Sequence, residues 1–222
     1  MVRQDRMHPP SNFEGLELQK RQANYTPLSP LSMLKRTERV YGHRLAHIHG
    51  NIRRSWSEVG KRCRRLASAL QARGIGKGDV VALLAPNIPE AFECAFAVPM
   101  LGAILNANNT RLDAQTLGYI LAHGEAKIFL VDTELRDVAH QAVTLSGRDI
   151  PIIDICDSEG PDAGCQTDIS YDDLLAEGSS DFAYSLPPDE WDALALNYTS
   201  RDDWQAKRGG LLASRRLHKC GE

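Results

Sequence analysis

The chain lacks an apolar run long enough to cross a bilayer. Its longest, AFECAFAVPMLGAIL at 91–105, carries Glu93 and Pro99 and falls short of the roughly 20 residues that a spanning helix needs. The opening stretch, MVRQDRMHPPSNFEG, has no apolar segment of signal-peptide type. Secretion and membrane insertion are therefore not expected, and a cytoplasmic location is. There is no C-x-x-C pair: Cys63, Cys94, Cys156, Cys165 and Cys220 are odd in number and widely spaced. That pattern suggests neither a disulfide framework nor a zinc site, and reduced thiols are expected. A net charge of −3 gives no general attraction to nucleic acid or to an anionic membrane, so nucleic acid is not an expected partner. No internal repeat or low-complexity tract is present either.

What is there is the composition of a globular protein, 42% hydrophobic and 25% charged over 222 residues, enough for one domain and part of another. Charge is unevenly placed. Residues 201–222 hold six Lys and Arg against three Asp and Glu, a net of +3, which leaves residues 1–200 at −6. Residues 1–30, rich in Pro, Ser, Asn and Gln, read as an extended arm. SPLSMLKRTERVYG at 29–42 reads as a short amphipathic helix entered at Ser29-Pro30. RLAHIHGNIRRSWSEV then predicts two short strands joined at the turn dipeptide Gly50-Asn51. A helix follows, with Ser57 placed to cap it and Glu58 in its first turn. Val59, Leu66, Ala67 and Leu70 form its apolar face, and Lys61, Arg62, Arg64 and Arg65 its solvated one.

From Gly78 the pattern alternates between wholly apolar strands (DVVALLAP, ILNAN, KIFLVD, IPIIDI, and last ALALNYTS at 193–200) and helical stretches (PEAFECAFAVPMLGA, DAQTLGYILAHG, ELRDVAHQAVTLSG, YDDLLAEG). Strands apolar throughout and separated by helices imply a mostly parallel sheet covered on both faces, a doubly wound α/β fold. His47 and His49 would share a strand face near His43, but no third ligand stands at helical spacing, so solvated hairpin histidines are expected and no metal site. KRCRR at 61–65 reads as a solvated helix face. The glycines of GIGKGD precede a strand, whereas a phosphate loop runs strand, glycine-rich loop, helix. They therefore form a helix-to-strand turn. Asn87-Ile88-Pro89-Glu90 follows that strand and starts a helix, with Pro89 near its first position.

In combination these segments carry more. GKGD, the PN-x-PE turn, the GA-x-L-N-x-x-N-T-R stretch and EAK-I-x-L-V-D resemble, segment for segment, the N-terminal part of the AMP-forming acyl-CoA synthetases, or acyl-activating enzymes. The likeness runs from about Asn24 to Ser200. It is greatest to short- and medium-chain fatty-acid and methylmercaptopropionate–CoA ligases, which share an NY-x-PL-x-PLS entry. The resemblance makes residues 31–200 the N-terminal portion of an AMP-binding large domain, incomplete as it stands. It implies an enzyme that uses ATP, Mg²⁺ and CoA, and joins the carboxylate of a fatty acid first to AMP and then to the thiol of CoA. In that family the strand ending Tyr-Thr-Ser continues Gly-Thr-Thr-Gly-x-Pro-Lys-Gly, an anion nest for the ATP phosphates. Thr199 and Ser200 match its first two positions, and no further cofactor-binding, catalytic or metal-ligating residue is carried over.

After Ser200 comes Arg201-Asp202-Asp203, two carboxylates where triphosphate would lie. Shifting the reading frame by one base at Arg201 changes the picture. The codons of Arg201 to Arg208 then permit Gly-Thr-Thr-Gly-Arg-Pro-Lys/Asn-Gly, with Lys207 yielding Lys or Asn according to the codons used, and with Trp204, whose single codon is TGG, forced to yield the second Gly. Gly209 to Leu211 permit Val-Val-Tyr, and Ala213 to Leu217 permit His-Arg-Gly-Ala. Residues 201–222 are accordingly read as an aberrant basic tail produced by a frameshift. The chain is expected to be inactive as a ligase and to bind none of the three cofactors, with an unpaired sheet edge that favours aggregation. The alternative is a stand-alone α/β interaction module whose basic tail docks on an acidic partner.

Overall fold

The computed structural model describes residue 23 and residues 25–160, 165 and 169–198. Ser29, extended at ψ 143°, caps helix α1 (Pro30–Tyr41) by accepting from the Leu31 amide. Strands β1 (Leu45–His49) and β2 (Ile52–Ser55) pair antiparallel around Gly50-Asn51, as the turn dipeptide requires. Helix α2 (Trp56–Ala72) starts two residues earlier than the sequence suggests. Ser55, not Ser57, is the cap, and it forms a capping box in which Ser55 Oγ accepts from the Glu58 amide while the Glu58 carboxylate accepts from the Ser55 amide. The box prevails because it satisfies two otherwise orphaned amides with one residue pair.

Four strands follow, β3 (Val80–Leu84), β4 (Ile104–Ala107), β5 (Ala126–Asp132) and β6 (Ile152–Ile155). They form one sheet in the order β4-β3-β5-β6, every pair parallel. The connections are α3 (Pro89–Met100), α4 (Ala114–His123) and, after one 3₁₀ turn at Thr133–Leu135, α5 (Arg136–Ser146). Helix α6 (Tyr171–Glu177) lies beyond β6, with Ser170 as its cap. A register shift between Val80 and Val81 doubles β5 against β3. It turns Lys127 outward to Asp79, 2.7 Å away, and lets Ala126 and Phe129 share one core face.

Two apolar layers result. Val81, Leu83, Ile128, Leu130, Ile153 and Ile155 pack under α1, α2, α3 and α6, while Val80, Ala82, Leu84, Phe129 and Val131 pack under α4 and α5. The doubly wound parallel sheet read from the sequence is the observed one. The expected last strand is shorter than its pattern suggests: among the described residues, only Ala195 bridges β4, parallel and opposite Leu105.

Three other expectations change. Cys156 and Cys165 are joined in a disulfide, although their spacing fits no metal or redox motif. The KRCRR helix face is only half solvated. Lys61 and Arg65 are exposed, but Arg62 reaches Glu93 at 2.6 Å and Arg64 reaches Glu38 at 2.7 Å. The hairpin histidines are not simply solvated, as the site shows. No helix among the described residues is long and apolar enough to cross a membrane.

Candidate functional site

In open parallel sheets ligands bind outside the carboxyl ends of the strands, where connections diverge. Here the chain leaves β3 for β4 on one side and then crosses to β5 on the other, so the divergence lies at the carboxyl ends of β3 and β5. Beside it a cleft of about 580 Å³ opens between the β1–β2 hairpin, the turn after β3 and the end of β4. Ala85, Phe92, Ala95 and Ala107 give it apolar walls, and His47, His49, Asn87 and Asn108 are its polar groups. Pro89 occupies the first turn of α3 as expected, and no side chain caps that helix start, which leaves amide dipoles facing the cleft rim.

Charge is distributed around this edge. His49 Nε2 lies 2.8 Å from Asp157 Oδ2. Both ring nitrogens of His47 are buried and have no hydrogen-bond partner. Burial, with Arg54 nearby, holds the His47 imidazole below its ordinary pKa. Asp132, at the end of β5, is 3% exposed and accepts from the Glu134 amide at 3.0 Å. Burial pushes its carboxyl above the usual range, and Glu134, Asp157 and Glu90 add to that. Among the described residues no group of three or more His, Cys, Asp and Glu could hold a metal ion.

The GA-x-L-N-x-x-N-T-R stretch has a role that its pattern alone does not disclose. Asn106, 1% exposed, donates from Nδ2 to the Leu196 carbonyl at 2.8 Å, and Asn108 Nδ2 donates to Asn106 Oδ1 at 3.1 Å. Leu105 completes the clamp, its amide donating to Leu194 O at 3.0 Å and its carbonyl accepting from Leu196 N at 2.9 Å. Tyr198 is then held by its hydroxyl, 2.8 Å from His123 Nδ1. The segment that leads toward Thr199 and Ser200 is thus fixed on β4 by a buried amide side chain. The signal was an asparagine, a poor strand former, inside the apolar run ILNAN. Thr199 and Ser200 themselves lie outside the described residues, as does the tail at 201–222.

Residues 34–200 match the model of the AMP-binding enzyme family. The chain belongs to that family. Among curated AMP-binding relatives, a 2-methylpropanoate–CoA ligase of Humulus lupulus is 40% identical over 191 residues, covering 83% of this chain and 34% of the relative. A peroxisomal trans-cinnamate:CoA ligase of Petunia hybrida is 40% identical over 215 residues, covering 90% of this chain and 37% of the relative. The chain therefore spans about a third of the length of these relatives. Among solved structures, an anthranilate CoA ligase bound to anthranoyl-AMP superposes with a TM-score of 0.70 at 22% identity, over 77% of this chain and 32% of that one. A long-chain-fatty-acid–CoA ligase from Archaeoglobus fulgidus superposes with a TM-score of 0.66 at 18% identity, over 79% and 35%. These two likenesses show a shared fold.

Proposed function

We propose that residues 31–200 are the N-terminal portion of an ATP-dependent, AMP-forming carboxylic acid–CoA ligase, and that residues 201–222 are translated out of frame. The observation that carries this is a coincidence of position. The family match stops at Ser200, the residue after which the sequence departs from the phosphate loop that codons for residues 201–208 would permit one base away.

In the intact enzyme the substrate would be a small or fatty carboxylic acid, and CoA the acceptor. A carboxylate is a poor electrophile, and transfer to AMP supplies the leaving group that the CoA thiol displaces. ATP brings that chemistry. This chain's part is positioning: Asn106 and Leu105 hold Leu194–Leu196 against β4, so that Thr199 and Ser200 would open a backbone nest for the phosphates.

The chain as it stands would not complete this chemistry, because Asp202 and Asp203 replace the Gly-Thr-Thr-Gly that neutralises triphosphate. Nothing among the relatives supports a stand-alone interaction module. The test is to resequence the gene across the codons for Ala195 to Glu222 and beyond, then to assay two proteins for acid-dependent pyrophosphate release. The frame-restored protein should be active and the present chain silent. An intact frame with no downstream ligase motifs in any frame, or activity in the present chain above a matched blank, would defeat the reading.

A further inference from the structure

The disulfide begins one residue before Asp157, which meets the cleft residue His49. Cys156 is half-buried at the end of β6 and Cys165 is exposed, nine residues on. Between them, residues 157–160 form a turn in which Asp157 Oδ1 accepts from the Glu159 amide at 3.0 Å and Asp157 O accepts from the Gly160 amide at 3.2 Å. That turn holds the tip of the β1–β2 hairpin. Asp157 meets His49 at 2.8 Å, and Glu159 Oε2 accepts from Asn51 Nδ2 at 3.3 Å. Gly50, at φ +52°, lies so close beneath Glu159 that a Cβ built on it would sit 1.9 Å from Oε2. Three successive hairpin residues therefore rest on a turn that is tied down at Cys156. His47, Ile48 and His49 of the same hairpin form one wall of the cleft.

We propose that Cys156 and Cys165 are a reversible redox pair that controls how firmly the β1–β2 hairpin docks, and with it the shape of the cleft. The link to a ligand rests on the function proposed above; the docking does not. The oxidant is a small-molecule disulfide. The exposed Cys165 thiolate displaces one thiol from it to give a mixed disulfide, and the Cys156 thiolate then attacks Cys165 Sγ and releases the second thiol. Two protein S–H bonds are lost, one S–S bond forms, and the two electrons leave with the small disulfide as two thiols. Reduction reverses this with two equivalents of thiol. The other described cysteines take no part. Cys63 and Cys94 are fully buried, and burial pushes both thiols above their usual range.

The test uses the full chain with Cys220→Ser, equilibrated across a series of reduced and oxidised glutathione. Acid-quenched alkylation and mass analysis of peptides should show the loss of two thiols, at Cys156 and Cys165 together. Hydrogen exchange in the same samples should show hairpin amides from His47 to Arg54 opening about fivefold faster on reduction, the effect of losing roughly one net polar contact. Amides of α4 and α5 should be unchanged. Asp157→Asn in the oxidised chain should loosen the hairpin without breaking the disulfide, which separates the contact from the covalent bond. A thiol count that never falls, or a hairpin equally protected in both redox states, or equally unprotected in both, overturns the proposal. None of these readouts depends on ligase activity, so either idea can fail alone.

Discussion

The two faces of the sheet are built differently. Under α4 and α5 the contact is made by Leu117, Leu121, Phe129, Val131, Ala139 and Ala142, all 0% exposed. The buried ion pair on that side, Arg136 with Asp154, sits on the edge strand β6. On the other face the apolar layer surrounds a buried carboxylate. Glu93, 0% exposed, accepts from Arg62 Nε at 2.6 Å and Arg54 Nη1 at 2.9 Å, and from the Tyr171 hydroxyl at 2.8 Å. One side chain on α3 thus gathers β2, α2 and α6. Hydrophobic burial is non-directional and tolerates small shifts of one layer on another, whereas charge-assisted hydrogen bonds fix orientation. The face that must seat a hairpin beside a cleft is the one with the directional contacts.

The largest expected effect breaks that network. Glu93→Ala leaves two guanidinium groups and a phenol facing an emptied site, and should cost about 3–5 kcal/mol, read as a lower urea midpoint with hairpin amides among the first to open. The apolar face supplies the control. Leu121→Ala should cost about 2–5 kcal/mol through its cavity, while leaving hairpin protection relative to the core unchanged. If Leu121→Ala loosens the hairpin as selectively as Glu93→Ala does, the two faces do not divide the work in this way.

Much of this was legible in advance, and the reasons are physical. The apolar runs of β3, β5 and β6 and the turn at Gly50-Asn51 follow from periodicity and local turn chemistry, so strands, helices and the doubly wound sheet were all readable. Arg62 and Arg64 were not, because a charge on an amphipathic helix carries no sign of whether a carboxylate from α3 or α1 will meet it. The His49–Asp157 pair escaped for the same reason, since it depends on how β6 brings its following turn to the hairpin, and the Cys156–Cys165 bond escaped because a separation of nine residues matches no motif that marks a pair. Asn106 could have been flagged as a polar residue in a buried strand, but its partner at Leu196 is 90 residues away. Thr199 and Ser200 were found through resemblance, not physics.

Asn106→Ala is the next smaller perturbation. It removes the donor that holds the Leu196 carbonyl and should cost about 1–3 kcal/mol. Exchange at Ala195 to Tyr198 should rise while β5 stays protected. Unchanged exchange there would mean that the Leu105 backbone contacts alone hold the segment.

The smallest effect concerns His47, and its sign is fixed by the direction of its shift. Burial, assisted by Arg54 and offset in part by Glu90, depresses its folded-state pKa below the ordinary imidazole value of 6.5, so the unfolded chain binds a proton more readily than the folded one between those two values. Stability contributed by neutral His47 is therefore present above about pH 6.5 and is lost as pH falls through the depressed folded pKa. The directional face should weaken first, because the imidazolium would sit beside Arg54 with neither ring nitrogen paired. His47→Leu keeps the apolar contact with the Phe92 ring, 5.8 Å away between centroids, and removes the titration. Melting curves from pH 7.5 to 5 should show a steeper acid loss in the parent than in this variant, by roughly 1 kcal/mol for each unit of depression. Parallel acid limbs would show that the ring takes up its proton without cost, and that neutral His47 is not what the directional face depends on.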